Sequence, residues 1–195
     1  MKILTWNVRG LAAPDKKCLV KRAIDKLAID IVLIQETKLS NVKAQDFSKF
    51  CFEWSSFFQA VNGTSRGLGI LWNPLSISIS PIASNSNWMI VRVSSMGRQE
   101  DFPLINVYIP IKTREKARVW GEILDDFNRL NLDTVIVAGD FNAILDIDDK
   151  LGGLRKSSKV MMDFRDFIIS IKVFDVVPEN GLFTWTKEDL FIQDL

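Results

Sequence analysis

At 195 residues, 47% of them hydrophobic and 25% charged, the chain has the make-up of an ordinary globular protein and the length of one well-packed domain over residues 1–195. Its net charge of +1 exerts no global pull on nucleic acid. No apolar stretch reaches the ~18 residues of a membrane span, and the absence of histidine excludes a Cys/His metal cluster. Any metal held here takes oxygen ligands, which favours Mg²⁺ or Mn²⁺ over zinc.

The N-terminus reads Met1-Lys2-Ile3-Leu4-Thr5-Trp6-Asn7. Arg9 arrives before a signal-peptide core could form, so an intracellular protein, nuclear or cytoplasmic, is expected. Its two cysteines, Cys18 and Cys51, are then reduced rather than bridged. Lys2–Val8 reads as a first strand. Leu19, Val20, Ala23, Ile24 and Leu27 fall at helical spacing, which predicts an amphipathic helix over about residues 15–28. Its Lys16, Lys17, Lys21, Arg22 and Lys26 are either a solvated face or a local nucleic-acid patch.

Ile31-Val32-Leu33-Ile34 reads as a buried strand that ends in Gln35-Glu36-Thr37, followed by a short helix at about residues 42–50. From Trp54 to Tyr108 the texture is that of an antiparallel meander. Leu75, Ile77 and Ile79 alternate with serines. Met89, Val91 and Val93 face one way, and Trp88, Ile90, Arg92 and Ser94 the other. Ser84-Asn85-Ser86-Asn87 and Met96-Gly97-Arg98-Gln99 are turn clusters. Arg114–Leu130 is helical, with Ala117, Trp120, Ile123, Leu124, Phe127 and Leu130 on one stripe. Met161, Phe164, Ile168 and Ile171 mark a last helix after a polar loop, Asp146–Lys156, and Phe183-Thr184-Trp185 starts a last strand.

The run Val135-Ile136-Val137-Ala138-Gly139-Asp140-Phe141-Asn142 carries the strongest local signal. Four apolar residues predict a buried strand that stops on a glycine. Extended-chain alternation then places Asp140 and Asn142 on the same side. An acid and an amide at a buried strand end demand a partner, and a metal, a water or a phosphate would serve. Asp30–Glu36 and Asp133–Asp140 form a weak internal repeat, each a helix-preceded apolar strand ending in an acid. The repeat suggests two similar sheets packed face to face with helices outside, the two acidic ends meeting at one edge.

Phosphodiester cleavage needs just such groups. A hard cation takes carboxylate or amide oxygens, which Glu36 and Asn7 offer. A carboxylate such as Asp140 aims water in line by accepting its proton. Donors such as Asn142 and Tyr108 hold phosphate oxygens as charge develops. Each residue singly has an ordinary alternative. Glu36 is also a solvated strand-end acid and Asn7 a turn residue before Gly10. Tyr108 is also a packing residue, and Asp140 with Asn142 a turn or helix cap. Two other patterns fall short. Asp146-Ile147-Asp148-Asp149-Lys150 lacks the closing glutamate of a calcium loop, and Gly67-Leu68-Gly69 lacks the third glycine and the helix of a dinucleotide site.

Trp6-Asn7, Gln35-Glu36-Thr37, Asn106-Val107-Tyr108-Ile109-Pro110 and Gly139-Asp140-Phe141-Asn142 occur in an order that resembles the endonuclease/exonuclease/phosphatase superfamily. The likeness is closest to the N-terminal endonuclease domain of plant LINE-type (non-LTR) retrotransposons. Met1–Leu11, Gly67–Trp72, Gly152-Gly153, Met162–Phe167 and Leu182–Thr186 extend it over nearly the whole chain. The resemblance implies a four-layer α/β sandwich, with two mixed sheets face to face and helices outside. It implies Mg²⁺ (or Mn²⁺) bound by Glu36 with help from Asn7, and Tyr108 on the scissile phosphate. Asp140 would activate water and Asn142 would stabilise the transition state, in a domain that nicks DNA to leave a 3′-hydroxyl.

The family pattern closes with Leu-Asp-Arg and Ser-Asp-His segments, and the residues after Trp185, Thr186–Leu195, carry neither. The resemblance therefore implies a domain incomplete at its C-terminus, lacking the last strands and an aspartate–histidine pair. Losing groups that act as a unit lowers rates by roughly 10⁴–10⁶, so weak or absent hydrolysis is expected. Two further readings stay open: a vestigial, non-catalytic or nucleic-acid-binding domain, and a phosphatase for a small phosphate ester.

Overall fold

Ile31–Ile34 is apolar without alternation because the strand it forms is covered on both faces. In the computed structural model, which describes residues 1–40, 53–59, 67–97, 101–149 and 158–176, every residue of β2 (Ile31–Gln35) is buried. Ile31 and Leu33 face one core, and Val32 and Ile34 face another. The helix expected at 42–50, Cys51, the Gly152-Gly153 pair and the strand expected from Phe183 lie outside the described residues.

The described residues divide into two compact units: Met1–Tyr108 with Asp133–Asp140, and Ile109–Leu132 with those from Phe141 onward. The first unit holds two mixed four-stranded sheets. One has the order β1 (Ile3–Asn7), β2, β4 (Leu68–Trp72), β3 (Ser55–Gln59), with β1 and β2 parallel and the remaining pairs antiparallel. The other has the order β5 (Ile77–Ser84), β6 (Trp88–Ser95), β7 (Phe102–Tyr108), β8 (Ile136–Asp140), with β7 and β8 parallel. Ile31, Leu33, Leu68 and Ile70 of the first sheet share a core with Ile77, Met89, Val91, Val93 and Leu104 of the second, so the sheets pack face to face. Helix α1 (Pro14–Leu27) lays Val20 and Ile24 on the outer face of the first sheet, against Val32, Ile34 and Leu71. Full burial of each such side chain stabilises by about 1.5–3 kcal/mol. Proline fits the first turn of α1, and Ala28 ends it in the left-handed region.

The second unit contains α2 (Thr113–Arg129), α3 (Lys159–Ser170) and a 3₁₀ turn at Ile147–Asp149. Trp120 of α2 stacks on Phe164 of α3 at 5.6 Å between ring centroids, and Phe141 meets Phe164 at 5.1 Å. Ser158 caps α3 by accepting the Met161 N–H at 3.2 Å.

The α/β two-sheet architecture agrees with expectation, and several details differ. The stretch from Trp54 to Tyr108 is not one meander: β3 and β4 join the first sheet, and only β5–β7 form the antiparallel run of the second. Leu75 does not share the face of Ile77 and Ile79. It lies in a turn closed by Asn73 Oδ1 accepting the Leu75 N–H, and is 81% exposed. On α2 the buried stripe is Lys116, Val119, Trp120, Ile123 and Phe127, while Ala117 is exposed. β8 is not fully buried. It is an edge strand among the described residues, and Ile136 is exposed.

Candidate active site

Parallel pairing brings several strands to finish at one edge. On β1, β2, β7 and β8 the alternation that puts Ile3, Leu33, Leu104 and Ala138 in the inter-sheet core sends Asn7, Gln35, Tyr108 and Asp140 to the same inner face. Glu36 comes next after β2. Strict alternation would aim it outward like Ile34, but its φ is 52°, and this left-handed turn returns the side chain to the inner edge. The chain after β1 is laced to the same segment: Val8 N–H donates to Gln35 O at 3.1 Å, Gly10 N–H to Glu36 O at 2.7 Å and Leu11 N–H to Thr37 O at 2.8 Å.

Asn7 is the hub. Its Nδ2 donates to Glu36 Oε1 at 2.8 Å and to Asp140 Oδ2 at 2.7 Å, while its Oδ1 accepts the Arg9 N–H at 3.1 Å. One amide nitrogen therefore spends both hydrogens on two carboxylates from different sheets. The carboxyls lie within two hydrogen-bond lengths of each other. Asn7, Glu36 and Asp140 are partly buried, and Lys38 Nζ stands 3.8 Å from Glu36 Oε2.

Tyr108 sits opposite Asp140 in the β7–β8 register. Its backbone is clamped by Asn87, whose carbonyl accepts the Tyr108 N–H at 2.7 Å and whose Nδ2 donates to Tyr108 O at 3.0 Å. Gly139, between the inner-face residues Ala138 and Asp140, has φ 143°, and a Cβ there would collide with the Val107 carbonyl. Only glycine lets β8 approach β7 closely at the residue that precedes Asp140.

Asn142 belongs to the second unit. Its placement by extended-chain alternation with Asp140 does not hold, because β8 stops at Asp140 and Asn142 has φ 46°. Its Nδ2 donates to Ile109 O at 2.8 Å, and the buried Lys116 donates from Nζ to the Asn142 carbonyl.

The structure thus brings Asn7, Glu36 and Asp140 together, with Tyr108 beside Asp140 in register. Sequence reasoning gave no role to Lys38, Asn87, Lys116, or the buried amides of Gln35 and Asn106. For the last two the signal was available: an amide breaks an otherwise apolar strand in each sheet. Two acids of the Asp146–Asp149 loop, Asp146 and Asp149, are bound within their own unit. Asp149 Oδ2 accepts the Leu145 and Asp146 N–H groups, and Arg165 pairs with Asp146 at 2.7 Å.

Among the described residues no group of three or more His, Cys, Asp or Glu side chains could hold a metal ion, so the candidate donor set is two carboxylates and an amide. That set is all oxygen once the amide offers Oδ1. It suits Mg²⁺, which is held by one or two carboxylates and completes its shell with water or phosphate. No helix among the described residues is long and apolar enough to cross a membrane.

Fold and edge together define a class: two-sheet α/β proteins that gather acids and amides where their inner strands end. The chain belongs to the Endonuclease/Exonuclease/phosphatase family, whose pattern matches residues 4–187. It is similar in fold to the AP endonuclease LMAP from Leishmania major, with a TM-score of 0.70 and 18% identity over 87% of this chain and 66% of that one. The endonuclease domain of TRAS1, a telomere-specific non-LTR retrotransposon, gives a TM-score of 0.63 and 14% identity over 87% of this chain and 69% of the other. In sequence, the transposon TX1 149 kDa protein of Xenopus laevis is 26% identical over 96% of this chain and 15% of its own length. The chain spans between 15% and 34% of the length of the curated relatives it matches.

Proposed function

We propose that this chain is a divalent-metal-dependent phosphodiesterase domain that nicks DNA, of the LINE-type retrotransposon kind. The observation that carries the reading is Asn7 Nδ2 joining Glu36 and Asp140 at 2.8 and 2.7 Å. Two carboxylates with a single amide between them form a site that a hard cation can share with a phosphate oxygen. A bound cation would neutralise phosphate charge as a Lewis acid. Glu36 would hold it, with help from Asn7 once its amide turns Oδ1 inward. Asp140 orients a water and accepts its proton as the water oxygen bonds to phosphorus. The P–O3′ bond breaks, and the 3′ oxygen leaves as a hydroxyl with a proton from solvent. Tyr108 would donate to the phosphate oxygens as charge builds, and the same role for Asn142 is proposed from the family resemblance alone. DNA as substrate is supported by the likeness to the endonuclease domain of TRAS1.

These 195 residues supply no imidazole, so Asp140 has no histidine to share proton transfer with, and nicking by this chain alone is slow. The same lack favours the second reading, a domain that binds nucleic acid without cutting it. A plasmid-relaxation assay with Mg²⁺ or Mn²⁺ separates them. Slow conversion of supercoiled to open-circular DNA, lost in Asp140→Ala and with EDTA, supports the phosphodiesterase. Plasmid binding without any relaxation at micromolar protein supports the binding domain, and turnover of small phosphate esters alone points to a phosphatase.

A further inference from the structure

Beneath the candidate site lies a pair of buried amides that the proposed mechanism does not use. Gln35 is 1% exposed and Asn106 0%, and they come from opposite sheets. Gln35 Nε2 donates to Asn106 Oδ1 at 2.7 Å and to Thr5 Oγ1 at 3.1 Å. Asn106 Nδ2 donates to Ile34 O at 3.3 Å and Gly69 O at 3.0 Å, the carbonyls of two paired strands in the facing sheet. Asn106 thus ties β7 to both β2 and β4 through three polar contacts.

We infer that the Gln35–Asn106 pair is a positioning device: it fixes the spacing of the two sheets at the edge where Glu36 and Asp140 must reach the same Asn7 amide. The placement supports this. Gln35 pairs with Asn7 in the β1–β2 register and directly precedes Glu36. Asn106 pairs with Ala138, two residues before Asp140, and itself stands two residues before Tyr108. Each amide is one step inward from the groups it would align.

Physical chemistry favours this role over a contribution to stability. The surrounding core of Leu33, Leu68, Ile70 and Leu104 is cohesive, but its attraction is non-directional and does not by itself specify which polar groups align. A hydrogen bond fixes separation and angle within narrow limits. Apolar replacement of both partners can be nearly neutral for folding, whereas replacement of one leaves the other unsatisfied. Stability alone therefore gives no reason to bury an amide on each sheet at this level, and alignment of a two-sheet site does. Groups that fix the orientation of ligating side chains matter for metal affinity by roughly ten- to a hundred-fold.

The inference rests on the proposed function for its catalytic consequence, and on geometry alone for its effect on Asn7. The test compares Gln35→Leu, Asn106→Leu and the double variant by urea unfolding, Mn²⁺ affinity, plasmid nicking, and NMR of the Asn7 side-chain amide. The single variants should unfold at lower urea, and the double variant should regain most of that loss. If the pair positions the site, the stable double variant still loses hydrogen-exchange protection at the Asn7 amide. It also binds Mn²⁺ roughly ten- to a hundred-fold more weakly and nicks more slowly by about the same factor. A stable double variant with parental Asn7 protection, Mn²⁺ affinity and nicking overturns the inference. If the parent neither binds Mn²⁺ nor nicks, the functional reading falls and Asn7 protection alone decides between positioning and none. Should the double variant not fold, Gln35→Met, which keeps both Asn106 bonds to backbone, decides by the same readings.

Discussion

Asn7 and Asp140 stand 133 residues apart in the chain and 2.7 Å apart in space, joined by a hydrogen bond between the first strand of one sheet and the last described strand of the other. The same nitrogen serves Glu36. Two negative groups are thereby held close with a neutral donor between them, a balance that a cation or a further charge would tip.

Asn7→Asp tips it with charge. A third carboxylate at this edge repels the other two, and the metal-free protein should be less stable by about 1–3 kcal/mol, since hydrogen bonds to two charged groups are also lost. Millimolar Mg²⁺ should restore most of the loss. Urea unfolding with and without Mg²⁺ checks this, and equal destabilisation in both conditions would argue against a cation site.

Divalent cation should raise the melting temperature of the parent. At a hundred times Kd the linkage is about 2.7 kcal/mol, or roughly 5–10 °C for a chain of this size. Calorimetry should show that shift with Mg²⁺ or Mn²⁺, and its loss in Glu36→Gln and Asp140→Asn. A shift that survives both substitutions places the binding elsewhere.

Gly139→Ala forces a side chain into the Val107 carbonyl at φ 143°. A loss of roughly 2 kcal/mol or more is expected, with broadened NMR signals for Tyr108 and Asp140, which face each other one register step onward. An unchanged urea midpoint would mean that β8 moves away from β7 without penalty.

Asn142 has φ 46° and donates to Ile109 O. Asn142→Ala and Asn142→Gly both remove that bond, but only alanine resists the left-handed backbone. The glycine variant should be more stable than the alanine variant by about 1 kcal/mol, and neither should nick plasmid if Asn142 contacts the phosphate. Equal stability of the two variants would remove the backbone explanation.

The sheets were readable wherever burial alternates or runs unbroken. Met89, Val91 and Val93 face the inter-sheet core as their spacing says, and Ile31–Ile34 is buried on both faces as an unbroken apolar run requires. Val135–Ala138 looked the same but leads into a strand that is at an edge among the described residues, because one-dimensional hydrophobicity does not report how many neighbours a strand has. The approach of Glu36 to Asn7 depends on a left-handed turn that no periodicity encodes, and Asn142 escaped alternation for the same reason. Leu75 followed the strand pattern by composition and was taken into a turn by Asn73. The Gln35–Asn106 tie joins residues 71 apart, and only the packing of the two sheets reveals it.

The most direct measurement is Mn²⁺ titration of isotopically labelled protein, read as paramagnetic broadening of assigned amide signals. A cation held by Glu36 with help from Asn7, beside Asp140, broadens Asn7, Glu36, Tyr108 and Asp140 first, at substoichiometric Mn²⁺, and excess Mg²⁺ reverses it. Broadening that begins instead at Asp146–Asp149, or is absent from Asn7 and Asp140 at saturation, would contradict a metal site at this edge.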